Sequence, residues 1–389
     1  MTLKSVKEYA AAIRDRYHQG SKGDKSKILD EFVKVTGYHR KAATRLLLKM
    51  PKASSVHRGR PSQFKALVTP LSNIWEASDR LCSKRLKPFL PEMIEVLRRN
   101  GELNIDAATQ ARLIGLSTST IDRLLKPRRT VGGRKPLSAT RPGQLLKGMI
   151  PIRTFTDWAE DKPGFLEIDL VAHCGERLLG LYLNTLCGVD VASGWLECAP
   201  VLGKDQIRVR QAIHRIKRRL PFPLLGLDSD NGSEFINQYL NNYCRQNKIT
   251  FTRARPYKKN DNCYVEQKNG NVVRRLIGHE RYSSNKAYQC LDRLYYLVRL
   301  YVNFFQPTMK LLDKTRHGAK VHKVYETART PYQRLLKLGA LTKEKQAELT
   351  IIYRGLNPVR LLKQINDMLE QLWKMADRPI SPVTRIMSQ

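Results

Sequence analysis

Leu225-Gly226-Leu227-Asp228-Ser229-Asp230-Asn231-Gly232-Ser233-Glu234-Phe235 decides how the rest of the chain is read. Pro223, Leu224, Leu225 and Leu227 make an apolar run, the mark of a short buried strand. The run ends in acidic residues and an Asn-Gly pair, which favours a tight turn. An amphipathic stretch from Glu234 to Arg245 follows and reads as a helix. Proteins built on α/β sheets place their chemistry where a buried strand delivers polar side chains to its carboxyl end. A plain surface turn has the same local pattern, so partners elsewhere in the chain decide between the two.

Upstream, Gly164-Phe165-Leu166-Glu167-Ile168-Asp169-Leu170-Val171-Ala172-His173 is a second apolar strand carrying Glu167 and Asp169. Downstream, Asn260-Asp261-Asn262-Cys263-Tyr264-Val265-Glu266-Gln267-Lys268-Asn269-Gly270 is a polar cap opening a helix, with Glu266 in its first turn. Asp230 lies 61 positions after Asp169, and 35 residues separate it from Glu266. Three carboxylates brought together repel one another unless a cation neutralises them. Hard oxygen donors of this kind suit Mg²⁺ or Mn²⁺ rather than zinc.

Val191-Ala192-Ser193-Gly194-Trp195-Leu196-Glu197, Asp228 to Phe235, and Tyr264-Val265-Glu266-Gln267-Lys268-Asn269 occur in that order. With the Asp…Asp…Glu spacing they resemble the catalytic core of retroviral integrases and of the related bacterial insertion-sequence DDE transposases. The resemblance covers residues 160–310, and the flanks look like a full-length bacterial transposase rather than a viral enzyme. It implies an RNase H-like domain in which Asp169, Asp230 and Glu266 are catalytic and hold two Mg²⁺ or Mn²⁺ ions. It also implies nicking at transposon ends and transfer of the 3′-OH into target DNA. Since two ends must be joined, it implies a homo-oligomer, at least a dimer on DNA. Glu167 and Asp228 point the same way as Asp169 and Asp230 on strands of period two, so they are either extra ligands or structural. Asn231 and His173 are further accessory candidates. Retroviral integrases carry lysines one and two turns after the glutamate; Gly270 and Val273 stand there, leaving Lys268, Arg274 and Arg275 as replacements, with Gln267 and Asn269 as further DNA contacts.

Seventy Lys and Arg against 35 acidic residues give a net charge of +35 over 389 residues. A field this strong attracts phosphate and releases counterions, which points to DNA as the partner. No run of 18 apolar residues exists and no secretory signal opens the chain, so a cytoplasmic, nucleoid-associated bacterial protein without a membrane partner is expected. The seven cysteines include no Cys-x-x-Cys pair and read as reduced, buried thiols. Neither they nor the eight histidines have zinc spacing, unlike the N-terminal unit of retroviral integrases.

The fold expected is multidomain α+β: helical helix-turn-helix units first, a central RNase H-like α/β domain with a mixed five-stranded sheet, and a helical C-terminal region. Residues 1–50 read as a first helix-turn-helix, with Arg40, Lys41, Thr44 and Arg45 toward DNA. In the 51–62 linker, Arg58-Gly59-Arg60-Pro61 resembles an AT-hook core. Residues 63–126 contain a second helix-turn-helix, presenting Ser119, Thr120 and Arg123. A basic Gly/Pro linker with Arg134 spans 127–150, and the catalytic core runs 151–308. Within the core, strands are expected at 165–173, 178–191, 194–201, 224–228 and 249–253, and helices at 205–220 and 233–247. The basic loop with Arg253, Arg255, Lys258 and Lys259, together with Lys268 and Arg274 on the next helix, is expected to hold DNA. Residues 309–389 read as mostly helical. Two alternatives stay open: a metal-dependent nuclease of the same fold without strand transfer, and a non-catalytic DNA-binding regulator.

Overall fold

The structure, a computed structural model, describes residues 1–49, 64–129, 162–255 and 262–377. Arg58 and Arg60, Arg134, and Lys258 and Lys259 lie outside the described residues.

Residues 1–63 form one compact unit. Its helices are α1 (Leu3–Gln19), α2 (Lys22–Thr36) and α3 (Arg40–Leu48). A Ser21–Asp24 capping box starts α2, and Gly37, at φ 70°, ends it in the left-handed conformation that glycine adopts without penalty. Val6, Phe32, Ala43 and Leu47 close the small core. That arrangement leaves Lys41 and Arg45 exposed on α3, while Arg40 is tied to Asp30 and Ser26.

Residues 64–389 form the second unit. It opens with α4 (Val68–Ala77), α5 (Ser83–Arg99), α6 (Ala107–Ile114) and α7 (Thr118–Leu125). Asp106 and Ser117 cap α6 and α7 by accepting the N–H groups of Thr109 and Thr120. Between them Leu113, Leu116, Ile121 and Leu125 are buried, and Ser119 and Arg123 are exposed.

The central sheet has five strands in the order β3-β2-β1-β4-β5: β1 (Phe165–Ala172), β2 (Leu183–Asp190), β3 (Leu196–Leu202), β4 (Gly226–Ser229) and β5 (Thr250–Arg253). The first three are antiparallel neighbours, while β4 runs parallel to both β1 and β5. The mixed sheet is the one the sequence reading expects. Helices α8 (Gln206–Arg219) and α9 (Gln238–Gln246) make the crossovers. Two boundaries differ from expectation. Strand β2 begins at Leu183, because residues 177–181 form a loop whose carbonyls bond Arg281. Helix α9 begins at Gln238, because Asn237 caps it and Phe235 is already buried in the preceding turn.

After β5, α10 (Cys263–Lys268) runs through a π-helical stretch, Asn269–Arg274, into α11 (Arg275–Ile277). Helix α12 (Asn285–Phe305) backs the sheet. The C-terminal part is mostly helical, as expected. It opens with an antiparallel ribbon, β6 (Leu311–His317) and β7 (Lys320–Tyr325), before α13 (Pro331–Leu338), α14 (Lys343–Gly355) and α15 (Pro358–Lys374). Nor are 63–126 and 309–389 cores of their own: their buried residues join those of the sheet in one apolar cluster. Tyr301 Oη donates to Ala77 O at 2.8 Å and Gln306 Nε2 to Ser78 O at 2.9 Å, which locks the helical module onto α12.

Candidate active site

Ile168 and Ser229 are the last partners in register along parallel β1 and β4. The next residue on each strand is Asp169 and Asp230. Asp169, with three residues of β1 still to follow, and Asp230, the first residue past β4, therefore stand side by side where the parallel pairing ends, about one strand spacing (~4.8 Å) apart along the backbone. At that edge the sheet passes from an antiparallel to a parallel neighbour, where open α/β sheets hold their ligands.

Glu266 arrives on α10. The N-cap residue of this helix, Asn262, gives no side-chain capping bond. Glu167 acts in its place: its Oε2 accepts the Val265 N–H at 2.9 Å, one residue before Glu266. The strand that carries Asp169 thus also anchors the helix that carries Glu266. Glu167 is fully buried, and Asp228 beside it accepts Thr252 Oγ1. These two carboxyls lie under the site. Burial, then the charge of Asp228 working against the Val265 hydrogen bond, pushes Glu167 up to about 8.

Asp169 and Asp230 are partly exposed and Glu266 is exposed. Burial first, then the charge of Asp230, and further the charges of Glu266 and Glu234, push the Asp169 carboxyl up to about 7 against the Leu170 N–H bond. Asp230 is raised by burial and by Glu234, against the bond from Gly232. Glu234, a residue to which the sequence reading assigns no site role, is 7% exposed and 3.8 Å from Lys204 Nζ. A Cβ on Gly232 would stand 2.8 Å from Glu234 Oε2 and 3.0 Å from Asp230 Oδ1. Glycine is what lets the two carboxyls close over that turn.

Asn269, one turn after Glu266, donates from Nδ2 to Asp169 Oδ2 at 2.7 Å, and its own Oδ1 is buried without a partner. It opens the π-helical stretch, a distortion frequent at functional sites. From the sequence, Asn269 is a DNA contact only. The three carboxylates offer hard oxygen donors alone, the kind that suits Mg²⁺ or Mn²⁺. Among the described residues, no three His, Cys, Asp or Glu side chains already stand close enough to hold a metal ion.

Several expected contacts turn inward. His173 is fully buried, with Nε2 2.7 Å from Thr185 Oγ1, and burial lowers it to about 3. A neutral histidine on a core hydroxyl is structural. Lys268 is 6% exposed and lowered to about 8 by burial. Arg253 is 8% exposed and donates to Asn231 Oδ1 at 3.0 Å, while Asn231 Nδ2 holds Ala254 O. Arg274 is half-buried against Gly278 O, whereas Arg255 is exposed. Charge alone promises these side chains to solvent, but their positions on the sheet edge and on the inner side of α10 bury them. All seven cysteines are free thiols.

No protein-family model matches the chain. The uncharacterized protein y4rM of Sinorhizobium fredii (strain NBRC 101917 / NGR234) is 42% identical over 341 residues, covering 86% of this chain and 96% of its own length. Among solved structures, the catalytic core domain of BIV integrase is 21% identical, with a TM-score of 0.30 over 45% of this chain and 94% of its own. A simian T-cell lymphotropic virus intasome in complex with PP2A regulatory subunit B56 gamma is 15% identical, with a TM-score of 0.31 over 61% and 73%. The HTLV-2 integrase catalytic core domain in complex with magnesium is 18% identical, with a TM-score of 0.28 over 38% and 91%. Likenesses this slight say nothing of activity. Among the described residues no helix is long and apolar enough to cross a membrane.

Proposed function

The chain belongs to the family of the Sinorhizobium fredii protein y4rM, and we propose that it is a DDE-type DNA transposase. The observation that carries this reading is that Asp169 and Asp230 directly follow Ile168 and Ser229, the last parallel partners of β1 and β4, and so stand side by side, with the helix of Glu266 docked on β1 through the Glu167–Val265 bond. Asp169, Asp230 and Glu266 would hold two Mg²⁺ or Mn²⁺ ions. Once bound, the ions would supply Lewis-acid chemistry for activating a water or 3′-hydroxyl and stabilising the leaving oxygen.

The protein's own residues supply the rest. Glu167 fixes α10 against β1, and Asn269 sets the rotation of Asp169. Asn231 and Arg253 tie the loop after β4 to the end of β5, which steadies Asp230. The exposed faces of α3 and α7, with Lys41, Arg45, Ser119 and Arg123, bind DNA ends through phosphates and base edges. The net charge of +35 supplies the affinity that is independent of sequence. The enzyme works on nucleoid DNA in the cytoplasm as at least a dimer, since two ends are joined in one event.

Incubation with the DNA that flanks the gene, a target plasmid and Mg²⁺ tests the proposal. Joined products that vanish in Asp230→Asn are expected. Nicking without joining makes the chain a nuclease. Binding alone, equal in Asp230→Asn, makes it a regulator.

A further inference from the structure

The β6–β7 ribbon has no fold-stabilising role that its residues explain. Every residue of both strands is exposed. Two-stranded hairpins are marginal in water without a face to bury. Lys314 stands directly opposite Lys323, and Arg316 opposite Val321. Residues two apart on a strand share a face, so the three cations crowd one side of the ribbon. Like charges directly opposed on a sheet are destabilising. Among the described residues none of the three makes an ion pair. Asp313 is the one acid from 310 to 325, against five Lys or Arg.

The root of the ribbon is held firmly, in contrast. Arg334, 5% exposed, pairs with Glu326 and donates from Nη2 to Thr308 O at 2.6 Å, and Thr308 bridges Arg329. Lys310, at the start of the ribbon, lies over the Tyr264 ring at 5.7 Å, and Tyr264 is two residues from Glu266 on α10. A rigid base beside the catalytic helix therefore carries a strand pair with a repelling cationic face. Seven residues of strand span roughly 23 Å, enough to reach along a duplex whose major groove is about 12 Å wide and admits a two-stranded ribbon.

We propose that the β6–β7 ribbon is a DNA arm, laying Lys314, Arg316 and Lys323 on the phosphates of the duplex held at the catalytic edge. The charge selects this occupant. A second copy of a chain of net charge +35 repels the same face, whereas duplex DNA neutralises it. The inference rests on the proposal that DNA is the substrate, and names a contact that neither helix-turn-helix provides.

The test is the salt dependence of binding of the full chain to a duplex of unrelated sequence, followed by fluorescence anisotropy. Each phosphate neutralised adds about 0.9 to the slope of log K against log salt. The triple variant Lys314→Thr, Arg316→Thr, Lys323→Thr should lower that slope by about 2 to 3. Lys314→Arg with Lys323→Arg should leave it unchanged. The thermal midpoint of the triple variant should hold or rise, since opposed charges are removed. An unchanged slope in the triple variant overturns the proposal. So does a shift in self-association without a slope change, which would assign the ribbon to a second copy. Cleavage is not part of this readout. A ribbon effect in a protein that joins no ends would sink the transposase reading alone, and joining with no ribbon effect would sink the arm alone.

Discussion

Glu167 Oε2 on β1 accepts the backbone N–H of Val265 on α10 at 2.9 Å, so one strand both bears the first aspartate and docks the helix that bears the glutamate. Glu167 is fully buried and its Oε1 has no hydrogen-bond partner, so what its carboxyl contributes is its hold on the backbone N–H groups that open α10.

Glu167→Ala should therefore weaken the fold by about 1–3 kcal/mol, the cost of leaving buried helix N–H groups unsatisfied. It should slow DNA cleavage further than that loss explains, because Glu266 loses its anchor. Glu167→Gln keeps an oxygen acceptor and should retain most of the stability. Urea midpoints and single-turnover nicking rates check both; equal behaviour of the two variants would contradict the docking role.

Removing one of the charges proposed to hold metal should stabilise the metal-free protein. Asp230 is the largest charge acting on Asp169. Asp230→Asn should raise the thermal midpoint without metal, while lowering cleavage by about 10³ or more, as losing several kcal/mol of transition-state stabilisation does. A lowered midpoint in metal-free buffer would show that the two carboxyls do not strain one another.

Stability of the metal-free protein should fall as pH rises from about 5 to 8. Asp169 and Glu167 are raised from 3.8 and 4.5 to about 7 and about 8. Between the two sets of values the unfolded chain has lost these protons and the folded chain keeps them, so folding is favoured at the acid end and the gain is lost through the folded pKa values. Asp24, Asp106 and Asp122 are lowered, and their opposite effect is confined below their ordinary values, outside this window, while buried His173, lowered from 6.5 to about 3, works the other way up to about pH 6.5 and is outweighed by the two carboxyls. Mn²⁺ should restore stability most at pH 8, where the carboxyls are ionised. Midpoints at pH 5.5 and 8, with and without Mn²⁺, measure this; a metal effect larger at pH 5.5 would be against it.

Gly232→Ala should be tolerated by the fold and not by the site. The new Cβ would lie 2.8 Å from Glu234 Oε2 and 3.0 Å from Asp230 Oδ1, so both carboxyls must move. A loss of Mn²⁺ affinity with a near-native thermal midpoint is expected. Native affinity would mean that these side chains already stand free of one another.

The two aspartates and the sheet around them are legible in the sequence because Asp169 interrupts an apolar run and Asp230 follows one, where strand period and composition agree. The capping role of Glu167 is not, since a period of two places it with Asp169 and says nothing of a helix N-terminus 98 residues later. Asn269 and Glu234 stand within recognisable motifs without declaring a part in the site, because their partners are set by a π-helical turn and by a glycine too small to keep two carboxyls apart. Lys268 and Arg253 mislead in the other direction: charge promises the surface, and packing of α10 and β5 buries them. The ribbon escapes a sequence reading because alternation cannot be read where both faces are exposed.

The most direct measurement is anomalous diffraction from crystals of the full chain soaked in Mn²⁺. The account predicts a peak between the carboxyls of Asp169 and Asp230, at about 2.1 Å from their oxygens, with Glu266 turned toward it. No peak at that edge, with Mn²⁺ bound only elsewhere on the chain, would contradict it.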